Sequence, residues 1–88
     1  MYFIYFAKSL RNNKVYCGFT SKNPKERVYE HNKSTNKWSS QNKPLKLIYY
    51  ENYVCKDDAL LRESFYKTGI GKAIKKLIID NIETILGL

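Results

Sequence analysis

Three observations predict an α+β domain, a small three-stranded antiparallel sheet flanked by about three helices in the order β-β-α-β-α-α. Two aromatic and β-branched runs, residues 2–7 and 14–19, stand either side of a short polar turn. A third such run, residues 45–54, follows a polar stretch. The remaining apolar residues recur at helical rather than alternating spacing. At 88 residues the chain is expected to form one domain, residues 1–88, burying about 60–65% of its extended-chain surface over a thin core.

The first two runs predict an antiparallel hairpin, because residues 9–13 hold the adjacent asparagines Asn12 and Asn13, which tolerate left-handed backbone. Asn23-Pro24 then reads as a helix cap followed by proline at the first helical position, opening a mostly polar helix to about Lys33. Residues 34–44, "STNKWSSQNKP", have the composition of a loop with Trp38 as its lone large apolar residue. The third strand, "LKLIYYENYV", is long and aromatic. Asp57 and Asp58 suit the positive end of a second helix running to about Lys67, and Gly69-Ile70-Gly71 breaks it. From Ala73 onward, Ile74, Leu77, Ile78, Ile82, Ile85 and Leu86 predict one closing helix or two in succession. Such a sheet must cover its apolar faces with these helices.

Sixteen basic residues against eight acids give a net charge of +8. The excess sits in residues 8–46, which hold ten basic residues and two acids, whereas residues 47–88 hold six of each. Charge concentrated in one half suits a polyanion, since each phosphate neutralised releases counterions. A solvated lysine surface is the plainer alternative. No apolar run approaches the roughly 18 residues of a membrane span, and the start lacks a signal pattern, so a cytoplasmic protein that avoids membranes is expected. Cys17 and Cys55 show no metal-type spacing and are expected to be reduced. "KTGIGK" lacks the phosphate-loop pattern and has no strand before it, which excludes nucleotide binding of that type.

The triplets Phe3-Ile4-Tyr5 and Tyr16-Cys17-Gly18, ten residues apart, precede Arg27-x-x-x-His31 and the segment "LRESFYKTGIGKAIKKL". This order resembles the GIY-YIG endonuclease domain, as found at the N-terminus of the UvrC repair nuclease and alone in small bacterial proteins. The resemblance covers nearly the whole chain. Both triplets depart from the name motifs, with Phe3 for the first glycine and Cys17 for the central isoleucine.

The resemblance implies five catalytic residues: the paired tyrosines Tyr5 and Tyr16, Arg27 at the scissile phosphate, His31 one helical turn later, and Glu63 as ligand of one divalent cation, Mg2+, with Mn2+ able to substitute. It implies a DNA substrate. Lys14, Lys22, Lys25, Lys67 and Lys72 join Arg27 as expected nucleic-acid contacts. Phe19 stands where some members carry a lysine, and Asn81 is the one available match to a later asparagine.

The chemistry is consistent with these residue types. Phosphodiester hydrolysis needs a proton acceptor for water, positive charge on the phosphorane and a polarising metal. A phenol near pKa 10 becomes a base only beside cations or metal, and Lys14, Lys22 and Arg27 are candidates for that role. Residues 27 and 31 share a helix face, and a guanidinium fork matches phosphate oxygens. A single glutamate suffices for magnesium if water and substrate phosphate fill the other positions. For each residue a plainer reading exists: a surface pair of Arg27 with Glu26 or Glu30, a helix-stabilising Glu63–Lys67 pair, and core or sheet-surface tyrosines at 49, 50, 53 and 66. Trp38 either stacks on a base or anchors its loop. The expected activity is metal-dependent, one-metal cleavage of DNA chosen by structure rather than long sequence, with RNA and a specificity-supplying partner protein left open. A non-catalytic nucleic-acid-binding module on the same scaffold is the alternative.

Overall fold

The computed structural model describes the backbone of residues 1–86 and the side chains of residues 1–82. Strands β1 (Tyr2–Ser9), β2 (Val15–Thr20) and β3 (Leu45–Tyr53) form one antiparallel sheet in the order β2-β1-β3. Helices α1 (Pro24–Lys33), α2 (Lys37–Asn42), α3 (Lys56–Phe65) and α4 (Gly69–Leu86) complete the chain. The expected β-β-α-β-α-α order therefore holds, with one addition.

That addition is α2, six residues inside the stretch expected to be loop. "KWSSQN" has no apolar period, and so short a helix does not stand on propensity. It forms because Asn36 caps it, its side chain accepting from the Ser39 N–H at 2.8 Å. The β1–β2 turn then ties down its far end: the Ser9 hydroxyl donates to the Asn42 carbonyl at 2.7 Å, and Arg11 Nη1 to the Ser40 carbonyl at 2.9 Å. In the same turn Asn13 adopts a φ of 61°, the left-handed conformation expected of those asparagines.

The second difference lies at Gly69–Gly71, which is not an irregular break. The α3 helix ends at Phe65, a short turn follows, and both glycines fall in the first turn of α4. Gly71 packs so tightly on the backbone of Phe65 and Tyr66 that any Cβ would collide with the Phe65 carbonyl.

Being the central strand, β1 is buried on both faces. Ile4 and Phe6 point toward α3 and α4 and pack with Ala59 and Tyr66. Tyr5 and Ala7 point the other way and pack with Val28 of α1 and Leu45. Ile4, Phe6, Val28 and Leu45 each contribute roughly 1.5–3 kcal/mol on leaving water. Within α4, Ile74, Ile78 and Ile79 pack against the first cluster while Leu77 stays exposed; the side chains of Ile85 and Leu86, also expected on the apolar face, lie outside the described residues.

On the α3 side, β3 carries a charge-centred network. Glu51 accepts from Tyr49 at 2.7 Å, Tyr53 at 2.6 Å and Arg62 Nε at 3.1 Å, and also from the Tyr66 hydroxyl. Burial by itself would raise the Glu51 carboxyl, but the three hydroxyls and the guanidinium outweigh it and hold the group below the usual carboxylate range. Burial, then the bond to Glu51, pushes the Tyr49 phenol up to about 12. Three of the four tyrosines expected in core or sheet-surface positions thus share one carboxylate, and Tyr50 faces solvent.

Candidate active site

The site begins with strand register. Tyr5 on β1 stands directly opposite Gly18 on β2, and Ala7 opposite Tyr16. The two tyrosines are therefore diagonal neighbours on one face, the α1 face, with ring centroids 6.1 Å apart. Glycine at position 18 makes this possible, because a Cβ there would lie 2.6 Å from Cζ and the hydroxyl of Tyr5 and 2.8 Å from the Tyr16 ring.

The helix above supplies the rest. Asn23 accepts from the Lys25 N–H at 2.9 Å and Pro24 starts α1, which presents Val28 to the core and Arg27 and His31 to the tyrosines. The Tyr5 hydroxyl lies 3.3 Å from His31 Nε2. His31 also packs edge-on to Tyr16, centroids 5.7 Å apart, and Trp38 from α2 closes the group at 5.0 Å from Tyr16 and 6.0 Å from His31.

The electrostatics divide the roles. Tyr5 is 1% exposed, and burial, then its neighbour Tyr16, raises its phenol well above the ordinary value, against the opposing charge and donor capacity of Arg27. Tyr5 thus keeps its proton at neutral pH and acts as a donor. Burial and then Arg27 hold His31 below the usual imidazole range, so the neutral ring has a nitrogen free to accept, and with the ring proton on Nδ1 the Tyr5 hydroxyl donates to Nε2. Arg27 is thereby within electrostatic range of both groups.

Four of the five expected catalytic residues, Tyr5, Tyr16, Arg27 and His31, come together on this face. Glu63 does not join them there. It sits on α3, on the opposite face of the sheet, where its carboxylate acts on Cys17 and lies 4.0 Å from Lys67 Nζ. Tyr16 and Cys17 are consecutive in β2, so the strand separates the two groups by its own thickness. The β2 strand is also a sheet edge, and a ligand at an edge reaches both faces. Burial, ahead of Glu63, pushes the Cys17 thiol up to about 11, leaving it a packed and unreactive side chain.

Among the described residues no cluster of three or more His, Cys, Asp or Glu side chains is arranged to hold a metal. What the chain offers is one partly exposed carboxylate, Glu63, 22% exposed, which fits a cation that keeps most of its waters. Of the expected nucleic-acid contacts, Lys14, Lys25, Lys67 and Lys72 are exposed. Lys22 is also exposed but donates to Glu30 at 3.1 Å, so its charge is partly offset. Phe19 stacks on Tyr2, away from the tyrosine pair, and Asn81 lies exposed on α4.

Trp38, expected in a loop either to stack on a base or to anchor, stands instead in α2. It anchors on Tyr16 and His31, and it keeps 41% exposure while lining a cavity of about 460 Å³. An isolated tryptophan in a polar basic segment was the signal for it.

The model of the GIY-YIG catalytic domain matches residues 1–76, the span that holds the hairpin, α1 and Glu63. A UPF0213 protein of Limosilactobacillus reuteri (strain DSM 20016) is 36% identical over 83 residues, covering 91% of this chain and 84% of that relative. No solved structure matches the chain. On the strength of these two matches the chain belongs to the GIY-YIG family of endonuclease domains.

Proposed function

We propose that the protein is a metal-dependent endonuclease that hydrolyses DNA phosphodiester bonds with one divalent cation. The observation that carries this reading is the convergence of Tyr5, Tyr16, Arg27 and His31 on one face of the edge hairpin. A DNA strand laid along the β2 edge meets the tyrosines on one side and Glu63 on the other.

Arg27 binds the scissile phosphate and stabilises the charge that builds on it. Tyr16, more open to solvent than Tyr5, acts as a phenolate and takes the proton of the attacking water as the water oxygen bonds to phosphorus and the bridging P–O bond breaks, the departing oxygen gaining a proton from solvent. Tyr5, fixed in its protonated form against His31, donates to a phosphate oxygen and keeps the imidazole oriented. Glu63 holds the cation, Mg2+ or Mn2+, which when bound supplies positive charge to the phosphate. Lys14, Lys25, Lys67 and Lys72 add sequence-independent attraction. In this reading the substrate is chosen by DNA shape, such as a flap, branch, nick or single strand, rather than by long sequence.

The test is cleavage of end-labelled linear, nicked, flapped, branched and single-stranded DNA with Mg2+, Mn2+ or chelator. Arg27→Ala and Tyr16→Phe are each expected to lose about 100-fold or more in cleavage rate while still binding DNA. Salt-sensitive binding with no cleavage under any metal would assign the scaffold to a non-catalytic binding module instead.

A further inference from the structure

The cavity of about 460 Å³ beside the catalytic face has the dimensions of a small-ligand pocket. Tyr16 is common to both places: it lines the cavity and contacts Tyr5 and His31. Trp38 forms an aromatic wall with an exposed face. Lys14 stands at the rim, exposed.

The polar wall is built and held. Asn12 Nδ2 donates to Asn42 Oδ1 at 2.9 Å, its own Oδ1 accepts from the Lys14 N–H at 3.0 Å, and Asn42 Nδ2 donates to the Trp38 carbonyl at 2.8 Å. Those two amides are therefore committed to fixing α2 and Trp38 against the hairpin turn. The remaining carboxamide is Gln41, which lines the cavity with no side-chain hydrogen bond among the described residues. An aromatic face, one uncommitted amide donor and acceptor, and a cation at the rim are the complement of a nucleobase with its phosphate.

We propose that this cavity takes one unpaired DNA base next to the scissile phosphate, stacked on Trp38 and read at its edge by Gln41. A base in a duplex has both faces covered by its neighbours, so only an unpaired or extruded base can enter. The inference rests on the endonuclease reading and deepens it: Tyr16 joins the pocket to the catalytic face, and the base it holds sets where the phosphate lies. Selection of flaps or single strands then follows from the pocket itself.

Trp38 is the sole tryptophan, so its fluorescence reports the pocket directly. The full chain is titrated in chelator with short oligodeoxynucleotides of single base type, and with an oligomer of equal length and charge built of abasic units. Saturable quenching by at least one base, with affinity about 5- to 100-fold above the abasic oligomer, is expected. Gln41→Ala is expected to shrink the difference between the best and worst base while leaving the salt dependence unchanged; Lys14→Ala should weaken all bases alike.

Binding to DNA with equal affinity for the abasic oligomer and no change in Trp38 emission overturns the base pocket and leaves the endonuclease reading standing. Failure to bind any of these oligomers overturns the base pocket, and cleavage of the linear, nicked, flapped and branched DNAs then decides the endonuclease reading separately. A Gln41→Ala protein whose base ranking matches wild type assigns any quenching to stacking alone and removes Gln41 as the reader.

Discussion

Gly18 leaves the space that the Tyr5 phenol occupies: a Cβ built at Gly18 would lie 2.6 Å from the Tyr5 hydroxyl, across the β1–β2 pair. The glycine that closes the second triplet is thus required by the packing of Tyr5 and Tyr16. Gly18→Ala must displace the Tyr5 ring, which is 1% exposed and has little room to move. Loss of about 1–3 kcal/mol of stability is expected, together with a fall in DNA cleavage at temperatures where the variant is still folded. Thermal melts and cleavage rates on the same preparation check both.

Ser39 offers the opposite case. Its hydroxyl is fully buried and has no hydrogen-bond partner among the described residues, an arrangement that costs stability. Ser39→Ala keeps the backbone N–H that Asn36 caps and removes the orphan group. A gain of about 1 kcal/mol is expected, read as a rise in melting temperature of roughly 4–8 °C for a domain of this size.

The Glu51 network sets the acid limit of the fold. Its carboxyl lies below the ordinary range in the native state, so the stability it contributes is present above the unfolded carboxylate pKa of about 4.3 and is lost as pH falls through the lower native value. Glu51→Gln is expected to lose about 1.5–3 kcal/mol at neutral pH and to flatten the acid arm of a stability-against-pH curve. Urea unfolding from neutral pH into the acid range measures this.

Lysines on the basic half are not equivalent. Lys25 is exposed, whereas Lys22 is offset by Glu30. In a plot of log affinity for DNA against log salt, Lys25→Ala is expected to reduce the slope by about 1 and Lys22→Ala by clearly less.

Most of the fold was legible because the signals were local. The asparagine turn at 12–13, the Asn23-Pro24 start of α1 and the acids opening α3 each act within a few residues, and each stands where expected. The α2 helix was not legible, since its support comes from Ser9 and Arg11 some thirty residues earlier. Nothing local in the third strand marks Glu51; only the packing of α3 brings Arg62 and Tyr66 onto it. For the candidate site, alternation along β1 and β2 puts the two tyrosines on one face, and helical spacing puts Arg27 beside His31. The separation of Glu63 from them by the thickness of β2 is a tertiary fact that spacing does not carry.

The most direct test of the central claim is therefore DNA cleavage by Glu63→Gln beside wild type, each assayed with Mg2+ and with chelator, with binding measured in parallel. Wild-type cleavage is expected to need the metal, the variant to lose about 100-fold or more in rate, and DNA binding to stay within a few-fold of wild type. Cleavage that persists in chelator, or an undiminished rate in Glu63→Gln, would contradict a cation held by Glu63 at the β2 edge.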